Sequence, residues 1–368
     1  MTTKALWIVL SLLMSVSAYA TGLCDGASSG IEAAEASGVA ASDYALGADI
    51  SWVTEMEADG KKFYNAAGEE TDCFALMKEL GFNAIRLRVW VNPETFYGPY
   101  SDKADVVKKA VRAKEAGMDV MIDFHYSDIF ADPQRQQMPK AWEHLSLTEL
   151  ANAVSEHTKD VLGAVVAAGV TPKWVQVGNE TRYGMMWPVA KLCAENADSC
   201  GGWRNYAYLS NAGYDAVKAV LPNAIVIIHI DNAWDDNAWW FDNFTKYGGK
   251  MDMIGLSHYP QTNPDKSAHE MNELALAHIK SLAADYGVKV MVAEVGVKQS
   301  DEEIAATVLK EFMDEAKKID VCAGVFYWEP QIYGYWRPTI YETLNWGSYD
   351  MGAFNKDGRP AKALDAFK

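Results

Sequence analysis

The sequence predicts an α/β protein: a single (β/α)8 barrel with its site at the C-terminal ends of the strands. Three observations carry this. Eight β-rich runs alternate with helical stretches across residues 46–368, so each crossover returns the chain to the same end of a parallel sheet. The polar residues of those runs gather at one end, where barrel chemistry sits. The alternative, an open doubly wound sheet, wants a Gly-rich phosphate turn after its first strand. The sequence has none, nor any G-x-x-x-x-G-K-[ST] motif.

Taken in order, the expected strands are LGADISW (46–52), NAIRLRVW (83–90), MDVMIDFHY (118–126) and KWVQVGNE (173–180). AIVIIHI (224–230), MIGLSHYP (253–260), KVMVAEVG (289–296) and GVFYWEP (324–330) complete the set. A helix is expected over 101–117, opened by Ser101 as its cap and stopped by Gly117. Others are expected over 146–169, 203–221, 267–286 and 301–318. The run DEEIAATVLKEFMDEAKK reads as a solvated helix face, and the doublet Trp239–Trp240 as helix packing. No low-complexity linker interrupts residues 46–368, so they read as one catalytic barrel.

The first 45 residues read differently. Lys4, the apolar ALWIVLSLLMSVSA and the small-residue site at Ala18, Tyr19 and Ala20 predict a signal peptide over 1–20. That run is too short to span a membrane comfortably. Residues 21–45, rich in Ala, Ser and Gly, read as a flexible leader. Leu23 stands where a bacterial lipobox wants a small residue, which argues against lipid anchoring through Cys24. The expectation is a secreted or periplasmic protein without membrane insertion. The formal net charge is −17, or −18 once Lys4 leaves with the signal, and this argues against nucleic acid or anionic lipid as a partner. Thirteen Trp exceed what a core needs and point to flat, weakly polar ligands such as sugar rings. Export permits disulfides. Cys193 and Cys200 bracket AENADS and are a candidate pair, which the loop-entropy relation puts at roughly 2.5 kcal/mol. Cys24, Cys73 and Cys322 have no evident mates, and no zinc-type Cys spacing occurs.

The stretch WVQVGNE drives an apolar run into Asn179 and Glu180, and other strand ends are equally polar. They read Asp49 and Trp52; Arg86, Arg88 and Trp90; Asp123, His125 and Tyr126; His229 and Asp231; His258 and Tyr259; Glu294; Trp328 and Glu329. Glu180 on the fourth strand and Glu294 on the seventh face each other across a barrel mouth. Two such carboxyls suit acetal hydrolysis, in which one protonates the departing oxygen while the other attacks or activates water at the anomeric carbon. A separation of about 5–5.5 Å gives retention and about 6.5–9.5 Å inversion. Arg86 is placed to keep a neighbouring nucleophile ionised, and that negative charge would in turn raise the pKa of the acid.

The motifs GADIS, RLRVWVNP, DFHYSDIFADPQRQQMPKAW, WVQVGNE, HYP and GVFYWEP resemble those of glycoside hydrolase family 53, the arabinogalactan endo-β-1,4-galactanases, barrel (TIM-type) glycosidases of clan A. The likeness runs through residues 46–368. It implies a retaining mechanism with Glu180 as general acid/base and Glu294 as nucleophile. It also implies Asn179 on the sugar 2-hydroxyl, Arg86 and Tyr259 supporting Glu294, and β-1,4-galactan as the substrate. His258 departs from the Tyr-Tyr-Pro usual in the family, and TRYGMMWP follows Asn-Glu where an Ile-Thr/Ser-Asn-Gly-like run is usual. The aromatic loop QIYGYWRPTIYETLNWGSYDMGAF is also unusual. These departures bear on chain length and linkage. The loop after Glu294 is short, so no calcium is expected, and no other cofactor.

Trp328 is expected as a platform under the scissile sugar. Trp90, Trp142 and Trp187, which follow strand ends, and Trp336 and Trp346 in the last loop are expected to shape subsites. Arg88, Asp123 and His125 are expected to bind substrate, with His125 and Asp128 making hydrogen bonds around the sugar or the rim. His229 reads equally as a sugar contact or a satisfied core imidazole. A monomer is expected. Three rival readings stand beside this one: a metal-dependent hydrolase using Asp123, His125, His229, Asp231 and His258; a non-catalytic sugar-binding protein; and a related glycosidase acting on mannan, xylan or glucan.

Overall fold

A computed structural model describes residues 44–95, 97–192 and 202–368. The expected signal segment, Cys24 and the candidate Cys193–Cys200 pair lie outside the described residues. Eight parallel strands close into a barrel: β1 (Ala45–Asp49), β2 (Ala84–Val89), β3 (Asp119–Phe124), β4 (Trp174–Val177), β5 (Ile225–Ile230), β6 (Met253–His258), β7 (Lys289–Val295) and β8 (Cys322–Trp328). They pair in sequence order, and β8 returns to β1 with Trp328 level with Asp49. The expected (β/α)8 TIM barrel is therefore present, and all eight strand expectations fall on barrel strands. The first strand begins at Ala45, one residue inside the expected leader.

Outside the ring lie α1 (Val53–Ala58), α2 (Cys73–Glu79), α3 (Lys103–Glu115), α4 (Leu147–Ala167), α5 (Gly202–Val220), α6 (Ala238–Lys246), α7 (Ala268–Tyr286), α8 (Glu302–Ala316) and α9 (Thr339–Leu344). The starts of α2, α3, α4, α7 and α8 follow from side-chain oxygens that satisfy free amides. Ser146 with Glu149, and Ser267 with Glu270, form reciprocal capping boxes on α4 and α7. The cap of α3 is Asp102, which accepts from the Asp105 amide, and not Ser101. Ser101 has φ 60° and gives its own amide to the Asp105 carboxylate, so it shapes the approach to the helix instead. Of the 239–240 doublet, Trp240 is buried against Trp203 and Phe244 as expected, whereas Trp239 is 37% exposed and does not share that packing.

Side chains alternate in and out of the ring, and the inward set is divided by height. Its lower part is apolar: Ala45, Ala84, Met121, Trp174, Ile227, Met253, Met291 and Phe326 fill the bore. Gly47 pairs with Phe326 across β1 and β8, and a Cβ on it would stand 2.1 Å from that ring. Gly47→Ala is accordingly expected to destabilise the barrel by about 1–3 kcal/mol through overpacking, read as a lower urea midpoint at unchanged m-value. The upper part is polar and forms the site.

One irregularity decides which way a key side chain points. Val290 and Val292 of β7 face the helices, while Met291 faces the bore. Strict alternation would then turn Glu294 outward. Between Leu256/Val292 and Ser257/Glu294 the register slips by one residue, and β8 sees the same slip before Tyr327/Val295. The extra residue is a β-bulge that re-aims Glu294 into the mouth beside Ser257.

Candidate active site

Above the apolar plug, seven strands each contribute one polar side chain: Asp49, Arg86, Asp123, Gln176, His229, Ser257 and Glu294, all buried. Arg86 is their hub. Its Nη1 donates to Asp49 Oδ2 (2.8 Å) and meets Glu294 Oε1 (2.9 Å). Its Nη2 meets Asp123 Oδ2 (3.0 Å), Asn179 Oδ1 (2.8 Å) and Gln176 Oε1 (3.1 Å), and Nε donates to Gln176 Oε1 (3.2 Å). One cation is shared among three carboxylates. Burial opposes the charge of Asp123, yet Arg86 and His125 hold its pKa below the usual carboxylate range.

Glu180 stands just past the end of β4 in a turn with two residues of positive φ, Gly178 (84°) and Glu180 itself (45°). A Cβ at position 178 would lie 2.7 Å from Thr181 Cγ2, so the turn requires glycine there. A left-handed non-glycine residue costs about 1–2 kcal/mol. Tyr126, Asn232 and Glu329 carry the same conformation just past β3, β5 and β8. The turn is held by Gln136, whose Nε2 donates to the Asn179 carbonyl (2.8 Å), and by Thr181, whose hydroxyl donates to the His229 carbonyl (3.0 Å).

The two glutamates lie on opposite sides of the mouth and share Ser257 as neighbour. Ser257 is in register with Glu294 on β7, and its hydroxyl donates to Glu180 Oε1 (2.7 Å). Their surroundings differ. Burial raises the pKa of Glu294, but Arg86 and the Tyr259 hydroxyl, 2.7 Å from Oε2, pull it down. Burial also raises Glu180 well above the ordinary range, and the charges of Glu294 and Asp231 push it further. The Ser257 hydroxyl works the other way. Of the pair, Glu294 is the one that ionises first and Glu180 the one that keeps its proton. Tyr259→Phe removes a donor that favours the Glu294 carboxylate. The acidic limb of kcat/KM against pH is therefore expected to rise by about one unit, with little change on the basic side. An unmoved acidic limb would deny the phenol this role.

Asn179 sits between the two halves of the site, accepting from Arg86 and donating to the Ala131 carbonyl (2.8 Å). His125 is buried with both ring nitrogens taken, Nε2 by Asp123 (3.0 Å) and Nδ1 by the Ala131 amide (3.0 Å). Asp128 accepts from the Asn92 and Lys140 amides. Of the two roles expected of these residues, the structure gives rim support. Arg88 is 1% exposed, boxed by the rings of Trp52, Trp90 and Phe130 at 4.7–5.1 Å and paired with Glu329 (3.2 Å). Its expected contact with substrate gives way to a supporting one.

Trp90 packs on Phe130 and Tyr97, Trp142 meets His157 of α4, and the Trp336 indole donates to Asp59. All three are buried, so their expected subsite role is corrected to packing. Trp328 keeps part of its surface open, buttressed edge-on by Trp52 and Tyr349. Trp187 and Trp346 are also partly open. His258 faces the helices, with Nε2 on Asn272 Oδ1 (2.8 Å) and its ring against Phe312. The departure at that position therefore lies outside the mouth and does not touch a sugar subsite. Asp231 is ion-paired with Arg182.

Gln176 and Ser257 went unnoticed in the sequence. Both are polar residues on the inward phase of otherwise apolar strands, and that phase was the available signal. Gln176 bridges Arg86 through its oxygen and Asp123 Oδ1 (2.6 Å) through its nitrogen, which fixes the orientation of its amide.

A closed barrel with an ionisable carboxyl and a proton-retaining one across its mouth defines a barrel glycosidase. The sequence profile described as "Glycosyl hydrolase family 53" matches residues 45–305, and the chain belongs to that family. It is 34% identical over 355 residues to the arabinogalactan endo-beta-1,4-galactanase of Cellvibrio japonicus, covering 88% of this chain and 89% of that protein. The family 53 catalytic domain from Ignisphaera aggregans superposes with a TM-score of 0.75 at 28% identity, covering 89% and 96% of the two chains. A structure from a study of two fungal beta-1,4-galactanases gives 0.73 at 27%, covering 87% and 98%.

Proposed function

We propose that this chain is a retaining endo-β-1,4-galactanase that cuts internal bonds of galactan by double displacement. In the first half-reaction a Glu294 carboxylate oxygen bonds to the anomeric carbon as the glycosidic C–O bond breaks. The Glu180 proton passes to the leaving oxygen. In the second, water attacks the same carbon, its proton goes to Glu180, and the bond to Glu294 breaks. Both glutamates end as they began. Asn179, fixed by Arg86, is positioned for the sugar hydroxyl next to the anomeric carbon, and Trp328 offers the open ring face on which the sugar lies. The unequal surroundings of the two carboxyls carry the reading: Arg86 and Tyr259 serve Glu294, while burial and a neighbouring negative charge serve Glu180. The substrate class rests on the named activities of the relatives. Purified protein incubated with galactan, mannan, xylan and glucan is expected to release short galacto-oligosaccharides from galactan alone. Cleavage of mannan or xylan with galactan untouched would overturn the substrate.

A further inference from the structure

A line of hydrogen bonds runs from β5 to the proposed acid. The backbone N–H of Glu180 points at His229 Nδ1 (3.3 Å), and Gln176 Nε2 reaches the same nitrogen (3.0 Å). Neither donor can reverse. A peptide N–H cannot accept, and the Gln176 amide is locked because Arg86 needs its oxygen and Asp123 its nitrogen. Asn179 Oδ1 also lies 3.1 Å from Nδ1, but it accepts from Arg86 and lies 3.1 Å from Gln176 Nε2, whose hydrogen the two acceptors share. Nδ1 is thus an acceptor. Burial and Arg86 also keep the imidazole pKa well below its ordinary value, so the ring is neutral. Its single N–H is then on Nε2, donated to Ser257 Oγ (2.9 Å). The serine passes its own hydrogen to Glu180 Oε1 (2.7 Å).

We propose that Ser257 is a positioning residue: with its direction set by His229, it makes Oε1 of Glu180 a standing acceptor and confines the acidic proton to Oε2. Oε2 has no hydrogen-bond partner among the described residues. The inference rests on the acid/base reading of Glu180. The same oxygen then gives its proton to the leaving group in the first half-reaction and takes one from water in the second, while the Ser257 bond persists through both. The charged groups that face Glu180 are Glu294 on β7, Asp231 just past β5 and Asp132 in the loop after β3, and all three favour its protonated form. Ser257 is the donor that opposes them.

Two measurements test this. In the intact 15N-histidine enzyme, with His229 assigned from a His229→Gln variant, the proton is expected on Nε2. A proton on Nδ1 leaves Nε2 to accept from Ser257, takes the serine's hydrogen away from Glu180 Oε1 and overturns the proposal, whatever the substrate. In Ser257→Ala, kcat/KM on galactan is expected to fall roughly 10- to 100-fold, with the basic limb of its pH profile moved upward. A dinitrophenyl β-galactobioside leaves without needing a proton, so its kcat/KM is expected to change by less than about threefold. Ser257→Thr restores the hydroxyl and most of the loss. An equal fall on both substrates would make the serine structural only. Wild-type inactivity on galactan would instead count against the substrate reading, and the tautomer would still decide the proposal.

Discussion

Glu294→Ala is expected to lower kcat on galactan by roughly 10^4-fold or more, ~5 kcal/mol of transition-state stabilisation. The methyl group cannot bond to the anomeric carbon, and no other carboxylate is built to replace it. Asp49 and Asp123 are buried and committed to Arg86. The cavity left behind admits a small anion. Azide is expected to restore turnover of an activated aryl galactobioside and to yield the α-galactosyl azide, because it attacks from the face the nucleophile occupied. A variant within tenfold of wild type, or a β-azide product, would assign the nucleophile elsewhere. Folding is a separate matter, since removing Glu294 leaves Arg86 with Asp49, Asp123, Asn179 and Gln176 as partners.

Glu180→Ala removes the proton donor of one half-reaction and the base of the other. On galactan, whose leaving alkoxide needs a proton, a loss of roughly 10^2- to 10^4-fold is expected. A dinitrophenyl substrate forms the glycosyl-enzyme unaided and then stalls, so a burst followed by slow turnover is the expected trace. Azide accelerates that second step and gives the β-azide, the opposite product to that of Glu294→Ala. The pair of anomers separates the two roles without any reference to rate. The basic limb of kcat/KM, set in the wild type by deprotonation of Glu180, is expected to vanish in this variant. Its survival would mean that another group donates the proton.

The fold was legible because eight runs of β-rich sequence separated by helix-length stretches admit few architectures. The site was legible at Glu180, because polar residues ending an apolar strand have no structural reason to be there. Glu294 was placed in the mouth as well, but what aims it there, the fate of the tryptophans, the side that His258 faces, and Gln176 and Ser257 escaped. The orientation of Glu294 depends on the slip in β7, and alternation from Met291 alone points it at the helices. A bulge leaves no mark in the composition of KVMVAEVG. The fate of the tryptophans depends on long-range packing: Trp90 and Trp336 are spent on Phe130 and Trp52, which are distant in sequence. His258 ends its strand as Tyr259 begins its loop, and a shift of one position separates a residue facing Phe312 from one touching Glu294. Gln176 and Ser257 were missed for a different reason. Each is the one polar residue on the inward face of its strand, and its value lies in partners on other strands.

The stopper of Met, Trp and Phe side chains in the lower bore also governs traffic. A polymer cannot be threaded through a ring whose far exit is sealed, so it must lie across the open end, and both severed pieces have to depart on the side from which they came. Nothing in that arrangement requires a free terminus to arrive first. Attack in the middle of a long strand is therefore as accessible as attack near its tip, and how firmly each fragment is gripped along the lip decides which one lingers.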